Sequence, residues 1–115
     1  MLETFAALGE QNRYRIVDLL RSGPQAVGDI GARLKLNQPQ VSKHLRVLKQ
    51  AGIVRVEPRA QQRLYGLRAE PLRAMADWLE RYRDIWQARF EELDALIEDI
   101  KDKEKAHARR NRKPR

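Results

Sequence analysis

Apolar and polar positions follow a helical period through the first fifty residues, and the places where that period stops divide them into four short helices. Residues 2–8 (LETFAAL) read as the first. Residues 11–22 (QNRYRIVDLLRS) follow, with Tyr14, Val17 and the pair Ile16/Leu20 on one face. Gly23-Pro24 stops them, because glycine closes a helix and proline cannot continue one. Residues 29–35 (DIGARLK) form a brief third helix that buries Ile30 and Leu34. The fourth has the clearest start: Asn37 is a good N-cap, Gln40 completes a capping-box pattern, and Pro39 falls in the first turn, where its missing N–H does no harm. This helix runs to about Ala51, and Gly52 ends it. Val41, Leu45 and Leu48 form one narrow apolar stripe along it. Pro39, Lys43, Arg46 and Gln50 lie opposite, flanked by Gln40, Ser42 and Val47.

The period then changes. Residues 53–57 (IVRVE) and 63–67 (RLYGL) read as two strands around PRAQQ, a hairpin. Pro71 opens a long helix in which Leu72, Leu79, Trp86, Leu93 and Ile100 recur every seven residues, with Met75, Tyr82 and Leu96 between them; Arg89 interrupts that second row. Such a row is a coiled-coil-like seam. It is too long to be hidden against a small winged domain, so these residues are the expected homodimer interface, helped by residues 2–8. Residues 101–115 (KDKEKAHARRNRKPR) have no apolar period and are expected to be a disordered basic tail, which leaves residues 1–100 as the folded domain. The fold class is mainly α with a small β-hairpin: a winged helix-turn-helix with a long C-terminal dimerisation helix.

Charge sharpens this picture once it is located. The net +8 of the 115 residues is unevenly spread: −1 over residues 1–32, +8 over 33–68, −5 over 69–100 and +6 over 101–115. A basic block covering the fourth helix and the hairpin points to a polyanion, most commonly nucleic acid. The major groove of B-DNA admits one helix, whose exposed side chains read base edges and phosphates. The apolar stripe fixes the helix to the domain and the polar face is left for DNA.

The run LNQPQVSKHLRVLKQAGIV, preceded by ALGEQNRYRIVDLLRSGPQAVGDIGARL, resembles the ArsR family of winged-helix transcriptional repressors, over roughly residues 2–100. The resemblance implies a homodimer that binds a palindromic operator in double-stranded DNA and releases it on a signal. It places Gln38, Gln40, Ser42, Lys43 and His44 towards DNA, to which the helical wheel adds Arg46, and it assigns Arg59, Gln62 and Arg63 to the wing. One departure concerns the wing tip, where the family often has Gly-Arg and this chain has Ala60-Gln61.

Metal-sensing members of the family place cysteines in the helix before the recognition helix, or Asp, His and Glu sets on the last helix. This chain has no cysteine, and its two histidines, His44 and His107, lie on the fourth helix and in the tail. No metal site and no cofactor are therefore expected. The pattern R-L-Y-x-L, then W-L-x-x-Y-R-x-x-W, resembles a metal-independent branch. Trp78, Tyr82, Ile85, Trp86 and Phe90 could line a pocket for an unidentified small-molecule effector, although aromatics at helical spacing more often pack as dimer core. A protein effector is the other possibility. Asp18, Asp29 and the acids of 91–99 have no nucleophile beside them, and no phosphate loop or nucleophile elbow is present, so the chain is not expected to be an enzyme. No apolar run approaches membrane-spanning length and no leader precedes the first helix, so a cytoplasmic protein is expected. A winged-helix protein–protein adaptor or a non-specific DNA-coating protein would share the fold. The basic recognition helix and wing favour a sequence-specific regulator over both.

Overall fold

The computed structural model describes residues 1–111. In chain order the elements are α1 (Leu2–Leu8), α2 (Gln11–Leu20), β1 (Gln25–Ala26), α3 (Val27–Leu34), α4 (Gln38–Gln50), β2 (Val54–Arg59), β3 (Gln62–Leu67), α5 (Ala69–Glu80) and α6 (Arg83–Asn111). They divide into two compact units, Met1–Asp77 and Trp78–Arg115.

The first unit is a winged helix-turn-helix. Its core joins Ile16 and Leu20 of α2, Ile30 of α3, Val41, Leu45 and Leu48 of α4, Ile53 just before β2 and Val54 at its start, all nearly inaccessible to solvent. Tyr14 departs from the sequence reading and is exposed. The face of α2 that packs runs through Ile16, Val17 and Leu20, one residue round from the face that included Tyr14. Two arginines tie the helices together at their ends. Arg13 Nε donates to Ala7 O at 2.6 Å, and Arg15 Nη2 donates to Leu34 O at 3.0 Å, so each satisfies a carbonyl that a helix C-terminus leaves without an intrahelical donor.

The turn between α3 and α4 is short and tightly built. Lys35 takes the left-handed conformation (φ 59°), and the Gly31 carbonyl accepts from Leu36 N at 3.0 Å. A Cβ on Gly31 would stand 2.8 Å from Leu36 O, a backbone atom that cannot step aside. Gly31→Ala is therefore expected to cost about 1–3 kcal/mol through overpacking, read as a lower urea midpoint with an unchanged slope. A loss below about 0.5 kcal/mol would show that the turn relaxes.

The wing is a three-stranded antiparallel sheet in the order β1-β3-β2. In the β2–β3 hairpin Val54 faces Leu67 and Arg59 faces Gln62, so the turn is the two residues Ala60-Gln61. The five-residue loop PRAQQ read from the sequence is shorter in fact, because Pro58 pairs with Arg63 inside the ladder. Ala60 has φ 53°, a conformation that glycine adopts without a Cβ penalty and that short hairpin turns require. The departure from the family's Gly-Arg thus leaves a short turn that carries some backbone strain. Gln25 and Ala26 pair with Tyr65 and Leu64, a strand that period alone does not announce.

The C-terminal helix differs from the sequence reading in two ways. It is broken: Arg81 N bonds Trp78 O, Tyr82 N bonds Leu79 O and Ile85 N bonds Tyr82 O, all three residues back, and this tighter turn separates α5 from α6. The seven-residue row is therefore carried by two helices. It also extends further, since α6 remains helical through residues 101–110 to Asn111, where a disordered tail was expected. Ion pairs Glu98–Lys101 (4.0 Å) and Asp99–Lys103 (3.2 Å) bridge successive turns where the apolar period ends. The rest of the expected tail, residues 112–115, lies outside the described residues.

Of the expected interface residues, Leu72, Met75 and Trp86 are half-buried within the chain, while Leu79, Tyr82, Leu93, Leu96 and Ile100 are exposed. The rings of Trp78 and Tyr82 meet at a tilt of 57°, with centroids 4.9 Å apart. On α6, Leu93, Leu96, Ile97 and Ile100 form one stripe at helical spacing, each 40–55% exposed. No described helix is long and apolar enough to cross a membrane.

Candidate nucleic-acid interface

The site is built on α4, and its first turn explains why the helix starts where it does. Asn37 Oδ1 accepts from Gln40 N at 2.9 Å, and Gln40 Oε1 accepts from Asn37 N at 3.0 Å, a closed capping box with Pro39 in the first turn. Gln40 is exposed, but its amide oxygen is committed to the cap, so only its Nε2 is left to address a partner.

Val41, Leu45 and Leu48 are fully buried, while Gln38, Ser42, Lys43 and Arg46 are exposed. Lys43 and Arg46 enter no ion pair among the described residues, so their charge is not neutralised within the chain. Lys49 was missed in the sequence reading. It is exposed, and it continues the row that passes through Gln38, Ser42 and Arg46. The same helical spacing reveals it once the wheel is carried one turn further.

At the wing tip Arg59, Gln62 and Arg63 are exposed and cluster on either side of the Ala60-Gln61 turn, held there by the ladder. Arg55, also in the wing, is instead ion-paired with Glu57. Two sets of exposed groups thus stand on rigid elements: the outer face of a helix, and the end of a hairpin.

His44 stands apart from its neighbours. Its side chain is only 14% exposed, and its Nδ1 lies 3.6 Å from Glu10 Oε2. That oxygen also accepts from Arg13 N at 2.9 Å, which makes Glu10 the N-cap of α2. The bond from Arg13 N–H holds the Glu10 carboxyl below the usual carboxylate range, with burial opposing it and His44 adding to it. A lowered value favours the charged form in the fold, so the cap's contribution is complete at neutral pH and is lost only as pH falls through the acid range.

No group of three or more His, Cys, Asp or Glu side chains among the described residues could hold a metal ion. What the arrangement offers is a polar, unpaired helix face of groove-entering size, with cations on a hairpin beside it in the same unit.

The profile of the bacterial regulatory protein, arsR family, matches residues 10–56, which span α2, α3, the turn and α4. The transcriptional repressor SdpR of Bacillus subtilis is 32% identical over 69% of this chain and 88% of its own length. The transcriptional activator HlyU of Vibrio cholerae is 32% identical over 65% of this chain and 69% of its own length. Among solved structures, the homodimeric winged helix-turn-helix DNA-binding domain of Mb0332 from Mycobacterium bovis superposes with a TM-score of 0.60 at 25% identity, covering 72% of this chain and 77% of that one. Profile, relatives and fold agree with the capped helix and its stripe: this chain is a transcriptional regulator and belongs to the ArsR family.

Proposed function

We propose that the chain is a homodimeric transcriptional repressor that binds a palindromic operator in double-stranded DNA, working at the chromosome in the cytoplasm. The observation that carries this reading is the exposed face of α4, where Gln38, Ser42, Lys43, Arg46 and Lys49 surround no acidic group. In the major groove, Lys43 and Arg46 suit guanine, Gln38 and the free amide nitrogen of Gln40 suit a base edge, and Ser42 suits base or phosphate. Arg59, Gln62 and Arg63 meet the backbone beside it, and Lys49 adds a phosphate contact. The sign of regulation follows SdpR, a repressor, rather than HlyU, an activator. Release by an unidentified small-molecule or protein effector belongs to the same reading, as does independence from metals, since the chain has no cysteine.

Selecting duplexes from the protein's own genomic DNA supplies the operator. On it, Lys43→Ala is expected to cost roughly 1–3 kcal/mol of affinity and to relax sequence preference, while Arg63→Ala weakens every duplex alike and flattens the salt dependence. Unchanged affinity in the Lys43 variant would remove α4 from the groove. Transcription from that operator in a purified system should fall as protein is added; a rise would make the chain an activator.

A further inference from the structure

We propose that His44 is a positioning residue of the recognition helix that bridges the Glu10 carboxylate and a DNA phosphate as an imidazolium, so that duplex binding takes up a proton. The inference rests on the DNA-binding reading and adds a proton to it.

The geometry is specific to one ring. Nδ1 of His44 is buried and has no hydrogen-bond partner, yet a carboxylate oxygen stands 3.6 Å away, a few tenths of an ångström beyond hydrogen-bond reach. A buried polar atom left so close to an acceptor is satisfied by a proton on that nitrogen and a small inward shift of the ring. The inner end of the ring thus belongs to Glu10, and Nε2, which unlike Nδ1 is not among the buried atoms without a partner, is the nitrogen left for a partner outside. Ser42 and Lys43, the two residues before His44, are exposed.

A neutral imidazole carries one N–H. It can donate to Glu10 or to a phosphate, never to both at once, because each contact needs a proton on a different nitrogen. Holding both partners therefore requires the imidazolium, and a duplex that engages Nε2 draws a proton onto any His44 that was neutral. The surrounding charges fit this role. Glu10 is already a carboxylate at neutral pH, because Arg13 N–H bonds its Oε2. Arg13, the other charge on α2 near that carboxylate, spends its Nε on Ala7 O. On α4 itself the adjacent charge is Lys43, which is exposed and enters no ion pair among the described residues. The contact also joins α4 to the cap of α2, so protonation steadies the recognition helix as it meets DNA.

The test uses the full chain and a duplex that the protein selects from a random-sequence library. Affinity is expected to rise roughly tenfold from pH 8 to pH 6, with a slope no steeper than one proton, which is tenfold per pH unit. His44→Gln should remove most of that slope, costing much more affinity at pH 6 than at pH 8, and His107→Gln should leave the slope intact. Glu10→Gln keeps an oxygen to cap α2 but removes the charge; it should shallow the slope and, in long-range ¹⁵N spectra of the free protein, shift the proton away from Nδ1 of His44. A wild-type affinity independent of pH, or a His44→Gln slope equal to wild type, overturns the inference. If His44→Gln unfolds, the Glu10→Gln slope decides alone. Selection of no duplex at any pH would instead remove the DNA-binding reading.

Discussion

Replacing Leu93 and Leu96 together by glutamate is expected to give a folded monomer whose affinity for the operator falls by about a hundredfold or more. Both side chains lie about half exposed on α6, in a stripe with Ile97 and Ile100. A soluble monomer rarely keeps such a stripe open to water, and pairing with a second copy removes it. The homodimer proposed above places two recognition helices on one duplex, so each half-site raises the effective concentration of the other; losing that linkage costs about two to four powers of ten. Because the stripe is exposed in the single chain, charging it leaves the core around α4 untouched. Sedimentation gives the mass, and titration of the operator gives the affinity. A folded monomer that binds with undiminished affinity would overturn the proposed dimer.

Leu45→Ala has the largest expected effect on stability. The side chain is 1% exposed and packs among residues of α2, α3, α4 and β2. Truncation removes its burial and leaves a cavity, which together cost about 2–5 kcal/mol. A small winged unit has few such residues and a net stability of roughly 5–15 kcal/mol, so a large part of it goes. Lys43→Ala, one turn face away and exposed, should leave stability within about 0.5 kcal/mol. The two variants therefore separate the stripe that anchors the helix from the face proposed to read DNA: one is expected to lose the fold and binding together, the other binding alone. Urea unfolding decides it, and a Leu45→Ala loss under about 1 kcal/mol would show that the core collapses around the gap.

Features set by neighbours in sequence were legible before the structure, and features set by distant partners were not. The Asn37/Gln40 box, Pro39 and the 41/45/48 stripe are local, and α4 follows from them alone. The hairpin was legible from its alternation, but not its length, because the pairing of Pro58 with Arg63 depends on the ladder. Strand β1 is two residues long and exists only through Tyr65 and Leu64. The break at Arg81–Tyr82 contains neither glycine nor proline, and the seven-residue row passes through it unmarked. Helix persists beyond Ile100 without an apolar period, through a Lys- and Arg-rich stretch opened by ion pairs one turn apart. At the site, the wheel identified the exposed residues, but the largely buried place of His44 depends on Glu10, which caps another helix. Gln40 faces outward as expected, yet half of its amide is spent on the cap.

The most direct test of the account is a hydroxyl-radical and methylation footprint of the wild-type protein on the duplex it selects. A two-fold symmetric pattern is expected: two major-groove segments protected about 34 Å, or 10 base pairs, apart or a multiple of that, each losing its methylation protection in the Lys43→Ala variant. A single asymmetric protected segment, or protection confined to the minor groove and unchanged by Lys43→Ala, would contradict it.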